Sequence, residues 1–200
     1  MTEKQTVLPA RIFIVHGFQS SPQDNWFDWL ATQIRPTGAE VTVPLMPQPD
    51  YPQAAQWQQT LDKLIGQPDE QTFLIGHSLG VITLLQFLSR HKPVRLGGLI
   101  LVAGFAAHLP RLQILDGYID ASQPDFAVLQ QISMPVHSII STNDPYVPEA
   151  ASNDIAHALH SSIQYIPDGG HLMAEDGFRK LEPARDSLQQ MLAQAATLKK

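Results

Sequence analysis

The chain has 200 residues, which is room for one domain spanning residues 1–200. Hydrophobic residues make up 44% of it, enough for a sizeable core, and the formal net charge of −6 argues against a nucleic-acid partner, because nucleic-acid-binding surfaces are basic. Cysteine is absent, which excludes disulfides, zinc–thiolate sites and cysteine nucleophiles. Neither a signal peptide nor a membrane-spanning apolar run is present, so we expect a cytoplasmic protein that does not associate with membranes.

Short apolar runs alternate with helical patterns along the chain. In chain order we predict strand 11–15, helix 26–34, strand 40–43, helix 54–65, strand 72–76 and helix 79–88. The second half predicts strand 96–102, a strand within 134–140, helix 149–159, strand 162–166 and a closing helix over about 181–195. This alternation predicts an α/β fold with about six mostly parallel strands, flanked by helices on both faces.

Residues 105–133 interrupt the alternation of strands and helices. We interpret them as a helix–loop excursion over the top of the sheet, too short to form a large lid. Nothing else in the chain divides it, because it contains no repeat, no low-complexity tract and no long linker.

The segment Gly76-His77-Ser78-Leu79-Gly80 has the pattern G-x-S-x-G. It lies between a predicted strand and a predicted buried helix, which is the strand–turn–helix setting of a nucleophile elbow. Glycines suit that turn because side chains flanking the serine would collide with the neighbouring strand and helix. The alternative is a serine that only caps the helix.

A nucleophilic serine needs a base, and the base needs an acid that orients it. In this architecture the acid and the histidine follow the serine in that order, in loops at the carboxyl ends of later strands. Asp144 follows the fifth predicted strand and His171 follows the sixth, so we predict that Ser78, Asp144 and His171 are the catalytic residues. Asp168 is the rival acid, but its place before two glycines is typical of a turn.

The other histidines predict no metal site. Only His157 and His160 share a helix face, and no third ligand accompanies them. We expect His16 to support the loop after the first strand and His77 to pack away from the pocket. No cofactor is needed, because acyl transfer through a serine uses protein groups alone.

An oxyanion hole requires two backbone N–H groups aimed at the developing negative charge. We assign one to Leu79, which follows the serine at a helix N-terminus, and the other to Phe18 after the first strand, with Gln19 as the alternative. The side chains of Phe18, Trp26 and Tyr146 are candidate pocket walls, although Trp26 also fits ordinary core packing.

Five ordered segments resemble the small serine hydrolases of the YdeN-like, retinoblastoma-binding-protein-like family. They are Phe13-Ile-Val-His-Gly-Phe18, Asp24-Asn-Trp-Phe27, the G-x-S-x-G segment, Asn143-Asp-Pro-Tyr-Val-Pro148 and Gly169-Gly-His171. The resemblance extends from residue 11 to about residue 195. It implies a compact α/β-hydrolase fold without a large lid and a Ser–Asp–His triad, whose roles fall on Ser78, Asp144 and His171.

The sequence therefore predicts a serine hydrolase that cleaves small carboxylic esters through an acyl-enzyme. Amide, peptide and thioester substrates stay open as alternatives, because the same tetrahedral intermediate serves them all. A third hypothesis is a protein-binding module on a hydrolase scaffold, whose expected sign would be a broken triad. The resemblance fixes no natural substrate.

Overall fold

Six strands form one fully parallel sheet in the computed structural model, which describes residues 9–197. Along the chain they are β1 (Arg11–Val15), β2 (Glu40–Thr42), β3 (Thr72–His77), β4 (Gly98–Val102), β5 (Val136–Ser141) and β6 (Ser162–Ile166). The strand order is β2-β1-β3-β4-β5-β6, so the chain reverses its direction of travel across the sheet after β2. This is the doubly wound topology that the alternation predicts.

In the described part of the chain, seven α-helices surround the sheet: α1 (Phe27–Ile34), α2 (Ala54–Ile65), α3 (Leu79–His91), α4 (Asp116–Asp120), α5 (Phe126–Leu129), α6 (Glu149–Ala158) and α7 (Glu182–Thr197). Helices α1 and α7 pack on one face, and α2, α3 and α6 pack on the other. The compact α/β prediction with helices on both faces is confirmed. Within residues 9–197, no helix is long and apolar enough to cross a lipid bilayer.

The central strands are apolar on both faces because both faces are covered. In β1, Ile12 and Ile14 belong to the core cluster under α1 and α7, whereas Phe13 and Val15 belong to the cluster under α2 and α3. All four are buried. This two-sided burial explains why β1 reads as a continuous apolar run rather than an alternating one.

The excursion 105–133 packs along α3, and Arg111 also reaches the loop after β5, where its guanidinium donates to the Pro145 carbonyl at 3.3 Å. The Tyr118 hydroxyl lies 2.7 Å from the Thr83 hydroxyl of α3, and the Asp125 amide donates to Ser89 near the end of that helix. Its apolar residues, which include Leu115 and Ile119, complete the core cluster on that face. The segment is therefore anchored on α3 through buried apolar side chains, and through Arg111 it also reaches the carboxyl end of the sheet, in keeping with its interpretation as an excursion over that end.

Candidate active site

Ser78 occupies a sharp turn between β3 and α3. Its backbone has φ 54° and ψ −120°, a conformation that residues with a Cβ rarely adopt. The Ser78 amide donates to the Val102 carbonyl at the end of β4, 2.9 Å away, which ties the turn to the neighbouring strand. This turn places the serine beyond the carboxyl end of the sheet, where open α/β sheets bind ligands.

The two glycines of the turn are needed because backbone passes close to both. A Cβ on Gly76 would lie 2.9 Å from the backbone of Val81, and a Cβ on Gly80 would collide with the carbonyls of Val15 and His16. The turn can therefore form only if both positions lack a side chain.

Asp144 and His171 are brought together by the loops after β5 and β6. The Nδ1 atom of His171 lies 2.6 Å from Oδ2 of Asp144. The side chains are only 6% and 2% exposed, respectively, which protects this contact from water. The other Asp144 oxygen, Oδ1, accepts hydrogen bonds from the amides of Tyr146 and Val147, so the carboxylate is held on both sides.

Ser78 and His171 line the same open cavity of about 620 Å³. Phe18 and Tyr146 line it too, and the Tyr146 ring meets the imidazole of His171 edge-on at 5.2 Å. Neither the Ser78 hydroxyl nor His171 Nε2 forms a hydrogen bond with another residue in the range 9–197. Both atoms are thus free of intramolecular hydrogen bonds within that range, and both residues face the same cavity.

The amides of Phe18 and Leu79 have no acceptor among residues 9–197. The Gln19 amide, in contrast, donates to the Pro49 carbonyl at 2.9 Å, which leaves Phe18 as the better of the two alternatives for an oxyanion donor. The loop carrying Phe18 passes close to the nucleophile turn, since a Cβ on Gly17 would lie 3.0 Å from the Ser78 Cβ.

His16 supports the loop after β1, which carries Phe18, as predicted. Its Nδ1–H donates to the Gly17 carbonyl at 2.8 Å, and its Nε2 accepts from the Met46 amide at 3.0 Å. Burial lowers the pKa of His16, which keeps the ring neutral and both hydrogen bonds intact.

The backbone of the His171 loop is held by side chains that the sequence did not identify. Oδ2 of Asp176 accepts from the amides of His171 (2.9 Å) and Met173 (3.1 Å). Oδ1 of Asn25 accepts from the Ala174 amide at 2.9 Å. These side chains bond across loops, and nothing in the local sequence around them marks such partners.

Trp26 is not a pocket wall. It is fully buried under the sheet, and its indole N–H donates to the Leu172 carbonyl at 3.1 Å. The interpretation of Trp26 as core packing is therefore the right one, with the added role of holding the loop after His171. Besides Phe18 and Tyr146, the cavity is lined by residues from loops whose approach the sequence does not show: Gln19, Ser20, Gln23, Asp24, Asn25, Leu112, Met173, Ala174, Glu175 and Arg179.

Across residues 9–197, no group of three or more histidine and carboxylate side chains could hold a metal ion. A second depression, of about 680 Å³, lies between the start of β1 and α7 and is lined by residues such as Ala10, Phe73 and Gln189. None of the described residues that line it is titratable, and none belongs to the predicted site.

Comparison with known proteins extends over nearly the whole chain. The family model described as serine hydrolase matches residues 12–190. YdeN of Bacillus subtilis (strain 168) is 33% identical over 183 residues, which cover 90% of this chain and 95% of YdeN. Serine hydrolase RBBP9 of Rattus norvegicus is 24% identical over 168 residues, covering 82% of this chain and 87% of RBBP9.

The fold agrees with the sequence match. The crystal structure of the B. subtilis ydeN gene product superposes with a TM-score of 0.86 at 32% identity, covering 92% of this chain and 98% of that structure. A family match over most of the chain, a relative at one-third identity and a shared fold all agree. This chain belongs to the serine hydrolase family, on the α/β-hydrolase fold.

Proposed function

We propose that the protein hydrolyses small carboxylic esters through a triad of Ser78, His171 and Asp144. The observation that carries this proposal is the buried 2.6 Å contact between Asp144 Oδ2 and His171 Nδ1, next to a cavity that His171 shares with Ser78. A carboxylate on Nδ1 fixes the tautomer in which Nε2 is unprotonated and free to accept a proton. Membership of the serine hydrolase family supports the same chemistry.

In the first half of the reaction, Ser78 Oγ attacks the ester carbonyl carbon while His171 Nε2 takes the hydroxyl proton. Asp144 stabilises the imidazolium that forms. The tetrahedral intermediate collapses as the C–O bond to the alcohol breaks, and His171 returns the proton to the leaving alcohol. Ser78 then carries the acyl group.

In the second half, His171 takes a proton from water, which attacks the acyl-enzyme. The second tetrahedral intermediate collapses as its bond to Ser78 Oγ breaks, His171 returns the proton to Oγ, and the carboxylic acid leaves. The negative oxygen of each tetrahedral intermediate accepts hydrogen bonds from the amides of Phe18 and Leu79. One such donor is typically worth about 10²–10³ in turnover.

The test is labelling and turnover with and without the serine hydroxyl. We expect wild-type protein to react with a fluorophosphonate probe and to hydrolyse a short-chain p-nitrophenyl ester. Ser78→Ala should abolish labelling and reduce turnover by about 10⁶-fold, because no other nucleophile replaces the hydroxyl. The matched control is Ser20→Ala, which removes another hydroxyl that lines the cavity. Undiminished turnover in Ser78→Ala would show that this serine is not the nucleophile.

The substrate class is tested separately from the triad. Esters, thioesters and aminoacyl amides of one acyl group should be compared at equal concentration, using kcat/KM. We expect the ester to be hydrolysed fastest. A faster thioester or amide would keep the triad and replace the substrate class, whereas absence of labelling by the probe would favour the protein-binding alternative.

A further inference from the structure

Nearly every polar group of His171 forms a hydrogen bond. Its amide donates to Asp176, its Nδ1–H donates to Asp144, and its carbonyl accepts from Nε2 of His77 at 2.9 Å. Nε2 of His171 alone has no partner among residues 9–197. The proposed mechanism uses two of these groups, Nε2 and Nδ1, and leaves the backbone contacts without an assigned role.

The contact from His77 differs from the others because of where His77 lies in the chain. It is the last residue of β3 and is bonded directly to Ser78. The ring is 2% exposed, with its centroid 4.9 Å from that of the His171 ring. It also packs edge-on against Trp26 and lies against Phe27. The ring therefore cannot shift without moving either the nucleophile turn or the core.

We infer that His77 is a positioning residue, which fixes the distance between the nucleophile turn and the base by donating its Nε2–H to the His171 carbonyl. The inference rests on the proposed function, because it assigns to His77 the alignment of Ser78 and His171 in that reaction. The covalent path is short: one peptide bond joins His77 to the nucleophile, and one hydrogen bond joins it to the backbone of the base. Displacements of about 1 Å between reacting groups can cost about 10²-fold in rate.

The chemistry of the ring suits a fixed donor. The other ring nitrogen of His77, Nδ1, is buried and has no partner among residues 9–197. A proton there would be left unpaired, so the neutral tautomer with the proton on Nε2 is favoured. Burial lowers the pKa of His77 to about 3, with the nearby His171 adding to the effect. The donor therefore stays neutral while His171 gains and loses protons.

Two substitutions of His77 distinguish its role as a hydrogen-bond donor from a role in packing alone. His77→Gln retains an N–H at the same number of bonds from the backbone as Nε2, whereas His77→Leu removes it and keeps an apolar side chain. We expect His77→Leu to lower kcat by about 10–100-fold with little change in KM, because alignment and not binding is lost. His77→Gln should recover kcat to within about fivefold of wild type, since it restores the donor.

Phe27→Leu is the packing control, because Phe27 contacts the His77 ring but makes no hydrogen bond to His171. We expect it to lower thermal stability while kcat stays near the wild-type value. Equal kcat in the Gln and Leu variants, or an equal loss in Phe27→Leu, would overturn the inference. Turnover that survives Ser78→Ala would instead overturn the proposed function, and this inference with it.

A spectroscopic measurement covers the case in which His77→Leu does not fold. Imidazole ¹⁵N shifts of the wild-type protein distinguish the two neutral tautomers, and the His77 signals are assigned by their loss in His77→Gln. We expect the proton on Nε2 at neutral pH. A proton on Nδ1 of His77 would leave nothing to donate to the His171 carbonyl and would contradict the inference directly.

Discussion

Ser78 carries backbone strain that its surroundings must overcome. A residue with a Cβ in a sparsely populated region costs about 1–3 kcal/mol, and such strain persists only where the neighbouring structure enforces it. Here the Val102 carbonyl holds the Ser78 amide, and the absence of side chains at Gly76 and Gly80 lets backbone close around the turn. The pattern G-x-S-x-G predicts this turn because each glycine avoids a different collision: Gly76 with the backbone of Val81, and Gly80 with the carbonyls of Val15 and His16.

Gly80→Ala should destabilise the fold and remove activity. The added Cβ would meet the carbonyl oxygens of Val15, the last residue of β1, and of His16, which follows it; as backbone atoms they cannot rotate away. We expect a loss of about 2–3 kcal/mol or more in the free energy of unfolding, measured by urea titration. Gly117→Ala is the control, because no atom lies within 4 Å of a Cβ there. Equal stabilities for the two variants would mean that the close approach is absent.

Asp144→Asn should separate the proposed acid from its rival. Replacing the carboxylate by an amide leaves Nδ1 of His171 without a charged acceptor and favours the wrong tautomer, so kcat should fall by about 10³–10⁴. Asp168→Asn should have little effect, because Asp168 has φ 53° and sits in a turn, as its position before two glycines predicts. Kinetics on one ester compare the two variants. A larger loss in Asp168→Asn would move the acid to that position.

Elements whose apolar spacing shows a strand or helix period were predictable, and the two shortest helices were not. The bounds of β1, α2 and β6 agree with the sequence analysis, because apolar spacing and flanking turn residues define them. Helices α4 and α5 have five and four residues, too few to show a helical period, so the sequence analysis assigns no helix bounds within 105–133. Contacts between loops, such as that of Asp176 with the His171 amide, follow from the fold rather than from local sequence.

Leu112 gives the 105–133 segment a part in the site, since it is the residue of that segment that lines the cavity shared by Ser78 and His171. Leu112→Ala should therefore change acyl-chain selectivity. Each buried methylene contributes about 0.8 kcal/mol, so we expect kcat/KM ratios between butyrate and acetate esters to change by several-fold. Ile114→Ala is a matched control, because Ile114 is 66% exposed and outside the cavity. Identical ratios in both variants would exclude Leu112 from substrate contact.

At the scale of the whole molecule, the parallel sheet is what brings distant residues together. All six strands run the same way, so the loops after β1, β3, β5 and β6 emerge at one edge and carry Phe18, Ser78, Asp144 and His171. The order of these residues along the chain could be predicted because this topology allows few alternatives. The pocket shape could not be, since it depends on how short loops pack on each other.

Buried histidines also link the stability of the whole fold to pH. Burial lowers the pKa values of His16, His77 and His137, that of His77 to about 3 from an ordinary value of 6.5. Between about pH 3 and pH 6.5, His77 is protonated in the unfolded chain but neutral in the native fold. The stability due to the neutral ring is therefore complete above about pH 6.5 and is lost as the pH falls towards 3.

His77→Gln should make the protein less sensitive to acid, because glutamine does not titrate. One proton taken up on unfolding changes the free energy of unfolding by about 1.4 kcal/mol per pH unit. Urea titrations between pH 7.5 and 4.5 should show stability falling with acid in wild type, with a slope smaller by up to about one proton in the variant. The remaining slope is expected from His16 and His137, whose pKa values are lowered in the same direction. Parallel slopes for wild type and variant would mean that His77 is protonated equally in the folded and unfolded states, and therefore that its ring is not sealed from water.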